Sequence, residues 1–278
     1  MYIQIIGKEG EMVCSMFWNL HRNALEDLIE TCVVENDIDV AIFSEFDGVD
    51  IDKIEEHLGK MYKHIFEIQN NKKVTLIAKN TLYVSIVQPG ERFNIYSVKT
   101  GVKDYLLVAI HLEDRRNYKT ADRVETIRHL VADIKKTEEL LKCTNTIVIG
   151  DFNANPYDEE LLSKYSFNAV LFKSVINKCD FTNPRSKKIK RFYNPIINFL
   201  SEDTEMYGSF YYDQDYNTSY WHCLDQVLVR KDLVDSVRHL EYIKRIDTNN
   251  LLKNSIPNSE ISDHLPLLVK LEEVGNGV

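Results

Sequence analysis

Six apolar segments of this 278-residue chain each lie beside a polar residue that can bind a metal ion or transfer a proton. Four of the segments are followed by such a residue, and two are preceded by one. In chain order the polar residues are Asn19, Glu45, His111, Asp151 with Asn153, Asp225, and Asp263 with His264. Antiparallel neighbours bring the end of one strand beside the start of the next. The pattern therefore predicts that these side chains meet at one edge of a sheet sandwich.

The residue types in this set suit the hydrolysis of a phosphodiester. Carboxylate and amide oxygens are the ligands that a hard divalent cation prefers, and such a cation neutralises charge on the phosphorane-like transition state. An imidazole paired with a carboxylate can activate water or protonate the leaving oxygen. Within the set, Glu45, Asp151 and Asp263 supply carboxylate oxygens, Asn19 and Asn153 supply neutral ligands or donors, and His111 and His264 supply N–H groups.

Each of these residues has an ordinary structural interpretation when it is considered alone. An Asp or Asn after a strand is usually a turn residue, and a single histidine such as His111 is more often a hydrogen-bonded, partly buried residue than a catalyst. Two segments are more specific, because polar and turn-forming residues follow one another directly beside β-branched runs. These segments are residues 150–156 and 262–266. The joint occurrence of all six marks in one order favours the functional interpretation.

The overall composition excludes some classes of protein and leaves the substrate open. An apolar content of 44% is enough for one large core, so we expect a single domain over residues 1–278. The chain contains no run of 18 apolar residues, so the sequence predicts no membrane span. The N-terminus does not resemble a secretory signal. The five cysteines have neither disulfide nor zinc spacing, so we expect reduced thiols in a cytoplasmic protein. A net charge of −9 weakens a purely electrostatic affinity for nucleic acid.

Many short apolar runs and two amphipathic segments define the expected elements. Strands are predicted at residues 12–18, 40–43, 74–78, 82–87, 93–98, 105–110, 146–149, 226–229 and 265–271. Helices are predicted at residues 23–35 and 119–141, and Asn23 and Glu26 have the spacing of a capping pair. Many strands with few helices fit two stacked sheets with helices packed outside.

An interval near residues 181–220 differs from this pattern of short apolar runs, because basic residues are followed there by many aromatic ones. Such a combination is typical of a surface that binds phosphates and stacks bases. A surface hairpin whose tyrosines simply pack against one another explains it equally well. The candidate substrate-binding residues are Arg185, Lys187, Lys188, Lys190, Arg191, Tyr193 and Trp221.

The ordered marks resemble the endonuclease/exonuclease/phosphatase superfamily, also called DNase I-like, over residues 12–272. The matching segments are residues 17–19, 43–45, 110–112, 150–153, 224–228 and 262–264. The resemblance implies a four-layer α/β/β/α sandwich of two mostly antiparallel sheets and a requirement for Mg²⁺ or Mn²⁺. It also implies that Glu45 is the principal metal ligand, helped by Asn19 and Asp263.

The same resemblance implies roles for the remaining residues. Asp151 orients or deprotonates the attacking water, and Asn153 positions that water and the phosphate. His264 binds the scissile phosphate while Asp225 fixes its tautomer. His111 contacts the phosphate or the leaving oxygen.

Three functions stay open, and they differ in substrate. The first, which we favour, is a nuclease that acts on DNA or RNA. The second is a phosphatase or phosphodiesterase on a small molecule or lipid headgroup, and the third is a catalytically silent binding module, against which the intact residue set argues. Residues 150–155 lack the pattern of inositol phosphate 5-phosphatases, and Cys223-Leu224 replaces the arginine that abasic-site endonucleases usually carry before Asp225. The chain is also similar to uncharacterised bacterial members, which supply no substrate or oligomeric state.

Overall fold

Two large β-sheets form the centre of the protein. The structure is a computed structural model that describes residues 11–65, 73–178, 190–214 and 220–273. The strands, in chain order, are β1 (Glu11–Asn19), β2 (Val40–Ser44), β3 (Tyr62–His64), β4 (Val74–Lys79), β5 (Tyr83–Pro89), β6 (Phe93–Lys99), β7 (Asp104–His111), β8 (Thr146–Asp151), β9 (Ala169–Val170), β10 (Phe192–Tyr193), β11 (Phe210–Tyr211), β12 (Trp221–His222), β13 (Asp225–Val229), β14 (Val237–Tyr242), β15 (Arg245–Ile246), β16 (Asn249–Asn250), β17 (Leu252–Lys253), β18 (Ile256–Pro257) and β19 (Leu267–Glu273). The α-helices are α1 (Glu26–Glu35), α2 (Ile51–His57), α3 (Thr120–Leu141), α4 (Glu159–Leu162) and α5 (Lys173–Lys178).

Both large sheets are mostly antiparallel, as predicted. Among the described residues, one sheet has six strands in the order β14-β19-β1-β2-β4-β3, and β1–β2 is its parallel pair. The other has seven strands in the order β5-β6-β7-β8-β13-β10-β9, with β7–β8 and β9–β10 parallel. Three short two-stranded ribbons, β11–β12, β15–β16 and β17–β18, lie outside these sheets.

Apolar side chains pack in layers on the two faces of each sheet. Leu106 and Val108 of β7 pack with the apolar face of α3, whereas Leu107 and Ala109 belong to the core that includes the other sheet. This alternation arises because successive side chains of a strand point to opposite faces. On the six-stranded sheet, α1 and α2 contribute to the same core. The four-layer α/β/β/α sandwich is therefore confirmed.

The predicted elements are present, with one wrong detail. All nine predicted strands occur within two residues of their expected bounds, and the second predicted helix is α3. The capping pair is wrong, because α1 begins at Glu26 and the side chain of its N-cap residue, Leu25, makes no capping bond. The amide of Asn23 instead donates to the carbonyl oxygen of Ile261 at 2.8 Å. A tertiary contact has replaced the local one.

Two further sequence expectations concern membranes and cysteines. Within the described ranges, no helix has the length and apolarity that a bilayer crossing requires. The four cysteines in these ranges all carry free thiols, and they are Cys14, Cys32, Cys143 and Cys223. Cys179 lies outside the described residues.

Candidate active site

Three neighbouring strands of the seven-stranded sheet place polar side chains in one row. His111 lies opposite Asp151 across the parallel pair β7–β8, and Asp151 lies opposite Asp225 across the antiparallel pair β8–β13. Neighbouring strands are about 4.8 Å apart, so these three side chains converge. Asp151 and Asp225 are only 1% and 0% exposed. Two of the three side chains in this row are therefore almost fully buried.

Gly150 explains how β7 and β8 pair so closely beside Asp151. Its φ is +151°, and a Cβ atom at this position would lie 2.0 Å from the carbonyl oxygen of Ile110. No L-residue fits there without a shift of the backbone. The glycine directly before Asp151 is therefore required by strand geometry.

The six-stranded sheet contributes two more residues to the same place. Asn19 ends β1 opposite Ser44 of the parallel strand β2, and Glu45 follows in the left-handed region with φ +47°. The side-chain nitrogen of Asn19 donates to Oδ2 of Asp151 at 3.2 Å. Nε2 of His111 lies 3.8 Å from Oε1 of Glu45 and 3.8 Å from Oδ2 of Asp151. The two sheets thus meet at one site.

His264 and Asp225 form a buried hydrogen-bonded pair. Nδ1 of His264 lies 2.7 Å from Oδ2 of Asp225, which leaves Nε2 for another partner. Burial alone would lower the pKa of His264, but the negative charge of Asp225, with contributions from Asp151 and Asp263, raises this pKa to about 10. The ring is therefore an imidazolium at neutral pH.

Asp151 and His111 have shifted protonation equilibria of their own. Burial, together with the nearby Asp225 carboxylate, raises the pKa of Asp151 to about 7. Burial also lowers the pKa of His111 to about 3, and the positive charge of His264 adds to that shift. At neutral pH the site thus holds a neutral imidazole, a charged imidazole and a carboxyl group that can exchange a proton. Titratable groups whose pKa values are pushed apart in this way are typical of acid–base sites.

The loop after β8 is held in a strained conformation by a buried arginine. Asn153 has φ +48°, its backbone N–H donates to Oδ1 of Asp151 at 2.7 Å, and its side chain donates to the carbonyl oxygen of Leu112 at 3.0 Å. Arg123 of α3 donates to the carbonyl oxygen of Asn153 and to Oε1 of Glu160, both at 2.7 Å. Sequence reasoning missed Arg123, although a charged residue on the apolar stripe of a helix was the available signal.

A second strained segment forms the outer wall of the site. His21 and Arg22 have φ values of +49° and +61°, which cost energy for residues other than glycine and cluster at functional sites. Nδ1 of His21 lies 3.1 Å from Oδ1 of Asp263, and Nε of Arg22 lies 3.5 Å from Oε2 of Glu45. Sequence reasoning missed both residues, which follow Asn19 directly in the chain.

The sequence from residue 15 to residue 264 matches the model of the Endonuclease/Exonuclease/phosphatase family. The chain belongs to this family. Its members are hydrolytic phosphoesterases that generally use divalent metals. A comparison with curated proteins gave no significant match.

Solved structures of this family share the fold. One is the endonuclease domain of TRAS1, a telomere-specific non-LTR retrotransposon, with 13% identity, a TM-score of 0.55, and coverage of 95% of this chain and 99% of that chain. Another is D. rerio TDP2 complexed with single strand DNA product, with 13% identity, a TM-score of 0.57, and coverage of 94% and 98%. A third is an AP endonuclease from Archaeoglobus fulgidus, with 13% identity, a TM-score of 0.55, and coverage of 94% and 100%. These likenesses establish the DNase I-like fold.

The donor set of this family member fits a hard divalent cation. Glu45, Asn19 and Asp263 offer carboxylate and amide oxygens, which are ligands that Mg²⁺ and Mn²⁺ prefer. A second group offers one ligand atom each within 4.8 Å of one another, namely Asp151, Asp225 and His264. Asp225 and His264 of that group are already hydrogen-bonded to each other. Burial and the nearby Asp225 carboxylate raise the pKa of Asp151, and a bound cation would favour its charged form.

The two predicted basic residues that the structure describes lie away from the site. Arg185, Lys187 and Lys188 lie outside the described residues. Nζ of Lys190 contacts Oε2 of Glu138 at 2.9 Å, and Glu138 also accepts from Thr146 at the start of β8. The carbonyl oxygen of Arg191 accepts from Arg230 at the same end of the sheet. The opposite end of β8, where Asp151 lies, is roughly 16 Å away at about 3.3 Å per residue. We therefore correct the prediction for Lys190 and Arg191.

The two predicted aromatic residues make their described contacts with groups other than His264. Tyr193 is 0% exposed and belongs to the core, so it does not form a substrate surface. Trp221 packs against Tyr211, with ring centroids 5.5 Å apart. The ring that contacts His264 is that of Phe210, at 4.9 Å between centroids. The ribbon β11–β12 thus contacts the site. The residue that makes this contact, Phe210, was not among the predicted substrate-binding residues.

Proposed function

We propose that this protein hydrolyses phosphodiester bonds of DNA or RNA, with Mg²⁺ or Mn²⁺ as its cofactor. The observation that supports the reaction type most strongly is the arrangement around Asp151. A charged imidazole bonded to Asp225, a neutral imidazole at His111 and a carboxyl group with a pKa of about 7 lie in one cleft. Phosphodiester hydrolysis needs a proton acceptor for water and a positive group for the developing charge. The cleft supplies both.

Asp151 is the proposed proton acceptor. Its carboxyl group has a pKa near neutrality, which suits a general base that works near neutral pH. The hydrogen bonds from Asn19 and from the backbone of Asn153 fix its two oxygens. Asn153 lies beside it and is proposed to position the water and the phosphate.

The two histidines are proposed to act on the phosphate. His264, charged and held by Asp225, donates from Nε2 to a non-bridging oxygen. His111 is neutral, and its Nε2 faces Glu45 and Asp151, where it can contact the phosphate or the leaving oxygen. A cation held by Glu45, Asn19 and Asp263 supplies charge neutralisation of the phosphate when bound.

Two observations support a nucleic acid as the substrate. After burial and His264, the cations Lys73, Arg92 and Arg22 also lower the pKa of His111, so positive side chains lie near this ring. Two similar structures are those of an AP endonuclease and of TDP2 complexed with single strand DNA product. The net charge of −9 favours the second candidate, a phosphoesterase of small molecules or headgroups.

The family match over residues 15–264 is consistent with a single catalytic domain, which stays a prediction.

A substrate panel tests the proposal. The purified protein with Mg²⁺ or Mn²⁺ is offered single-stranded DNA, double-stranded DNA, RNA, phosphomonoesters and headgroup phosphodiesters, and EDTA serves as the negative control. We expect metal-dependent cleavage of at least one nucleic acid with a kcat/KM above that of every small substrate. Higher kcat/KM on a phosphomonoester or a headgroup would replace the nuclease by the second candidate. No hydrolysis of any member with either metal would overturn the reaction type.

A further inference from the structure

A row of three planar groups extends from His264 toward solvent. The ring of Phe210 lies 4.9 Å from the ring of His264, and the ring of Tyr212 lies 6.5 Å from that of Phe210 with only 20° between their planes. The guanidinium carbon of Arg116 lies 5.1 Å from the centre of the Tyr212 ring. We name Phe210, Tyr212 and Arg116 the stacking row.

Hydrogen bonds on both sides fix the inner end of the stacking row. Phe210 forms a β-bridge with His264 itself. The preceding residue, Ser209, accepts from the backbone N–H of Leu265 at 2.9 Å, and its hydroxyl oxygen accepts from the backbone N–H of Asp225 at 3.1 Å. The row is therefore tied to both members of the His264–Asp225 pair and keeps a constant position relative to them.

The two rings of the stacking row lie outside the apolar cores. Phe210 and Tyr212 are both partly exposed, and neither belongs to an apolar core of the described residues. By contrast, Trp221 of the same ribbon packs against a core. Partly exposed aromatic rings beside a catalytic site are groups on which unpaired bases can stack.

Arg116 differs from its neighbour Arg115 in a way that suits phosphate binding. Arg115 is engaged by the carboxylates of Asp158 and Glu160. Arg116 is exposed and makes no ion pair with the described residues; its guanidinium lies over Tyr212 instead. A cation without a carboxylate partner at the end of an aromatic row is free to meet a phosphate of the strand.

We propose that the stacking row binds an unpaired nucleic acid strand next to the scissile phosphate. This inference rests on the proposed function and narrows its substrate class. A base adjacent to the phosphate at His264 stacks on Phe210, the next base stacks on Tyr212, and Arg116 contacts a phosphate beyond it. Bases in an intact duplex are stacked on their own neighbours, so the row selects strands whose bases are unpaired.

Fluorescence binding tests the stacking directly. The probe is a single-stranded oligonucleotide with internal 2-aminopurine, whose emission falls when it stacks. Binding is measured for proteins that carry Glu45→Gln, so that the strand stays intact. Adding Tyr212→Leu should weaken binding about 5- to 100-fold, the range for the loss of one stacked base. Tyr83→Leu is the matched control, because Tyr83 is 63% exposed on the edge strand β5.

Salt dependence tests the role of Arg116 separately. The slope of the logarithm of the affinity against the logarithm of the salt concentration should shrink by about 0.7 in Arg116→Gln, the value for one lost phosphate contact on a single strand. Arg128→Gln is the control, since Arg128 is exposed and paired with Glu125 on the outer helix. An unchanged slope in Arg116→Gln would remove the phosphate contact from the proposal.

Cleavage of a base-free strand separates this inference from the proposed function. The ratio of kcat/KM on an ordinary single strand to that on an abasic strand of equal length should exceed 1 and should fall about 5- to 100-fold in Tyr212→Leu. Equal ratios in the wild type and Tyr212→Leu, with unquenched 2-aminopurine, would overturn the stacking while leaving the hydrolase intact. Failure to cleave any strand would instead overturn the proposed function.

Discussion

Nδ1 of His264 lies 2.7 Å from Oδ2 of Asp225, both side chains are buried, and the ring of Phe210 contacts that of His264. The sequence predicts this pair, although 39 residues separate its members. Strand β13 sets the position of Asp225, and the bond from Trp18 Nε1 to the carbonyl oxygen of His264 fixes the other partner at 3.1 Å. The pair thus depends on both sheets being packed together.

Asp225→Asn should lower kcat by roughly 100-fold or more, within the range for general acid–base catalysis of about 10²–10⁴. The pKa of His264 is about 10 because of Asp225, and burial alone would lower it. The variant should therefore lose the imidazolium at a lower pH, and the alkaline limb of the kcat profile should move in that direction. Asp235→Asn, whose carboxylate is 84% exposed, is the control. An alkaline limb that stays in place would contradict this role.

The same pair should make stability depend on pH. His264 binds a proton more tightly in the folded protein, so its stabilisation is complete below the unfolded pKa of about 6.5 and is lost as pH rises toward about 10. The midpoint of thermal unfolding in EDTA should fall between about pH 6 and about pH 9 by more in the wild type than in Asp225→Asn. Identical pH dependence in both proteins would show that the pair is not charged in the folded state.

Arg123→Lys should lower kcat by roughly 10-fold, because about 1 Å of misplacement in a catalytic loop costs up to 100-fold. Lysine keeps the charge but loses the planar fork that holds Glu160 and the carbonyl oxygens of Phe152 and Asn153. KM should change less than kcat, when both are measured well below the unfolding temperature. Arg128→Lys is the control on the same helix. If unfolding shifts while kcat does not, Arg123 has a structural role only.

Gly150→Ala should destabilise the protein by more than about 2 kcal/mol, the range for steric strain at a special backbone conformation. Its Cβ would meet the carbonyl oxygen of Ile110 at 2.0 Å. Gly101→Ala provides the control, since Gly101 also has a positive φ of +92° but has nothing within 4 Å of its Cβ position. Urea unfolding should separate the two variants, and equal losses would refute the steric explanation.

Lys190→Gln should leave kcat/KM on a nucleic acid strand within about twofold, because the contact of Lys190 with Glu138 lies at the opposite end of β8 from Asp151. Stability should fall by less than about 1 kcal/mol, since Lys190 is 43% exposed and such pairs contribute little. Steady-state kinetics and urea unfolding measure both quantities. A large loss of activity on a strand, with normal stability, would restore the predicted role of this residue.

The sheets and the central row could be predicted because they depend on local pattern and chain order. Apolar runs give the strands, and the polar residue at the end of each run gives its contribution to the site. The strand pairing then brings His111, Asp151 and Asp225 into one row. These features need only the order of the strands and the position of each polar residue.

Other features could not be predicted because they depend on where the chain travels between elements. The strand β10 re-enters the sheet at the Thr146 end of β8, which carries Lys190 away from the cleft. The role of Arg123 depends on the loop after β8, whose carbonyl oxygen at Asn153 accepts from its guanidinium. Asn23 donates to a carbonyl oxygen more than 200 residues later in the chain. A β-bridge to His264 brings Phe210 to the site, and no local sequence pattern indicates that bridge.

The measurement that tests the central claim most directly is the metal dependence of Glu45→Gln. This change removes a ligand charge without changing volume, so hydrolysis should fall by at least about 100-fold at subsaturating Mg²⁺, with the unfolding midpoint near that of the wild type. Glu139→Gln, at an exposed position on α3, should keep the activity of the wild type. A Glu45→Gln protein that retains a near-normal rate at subsaturating Mg²⁺ would contradict the assignment of this cleft as a metal-dependent phosphodiesterase site.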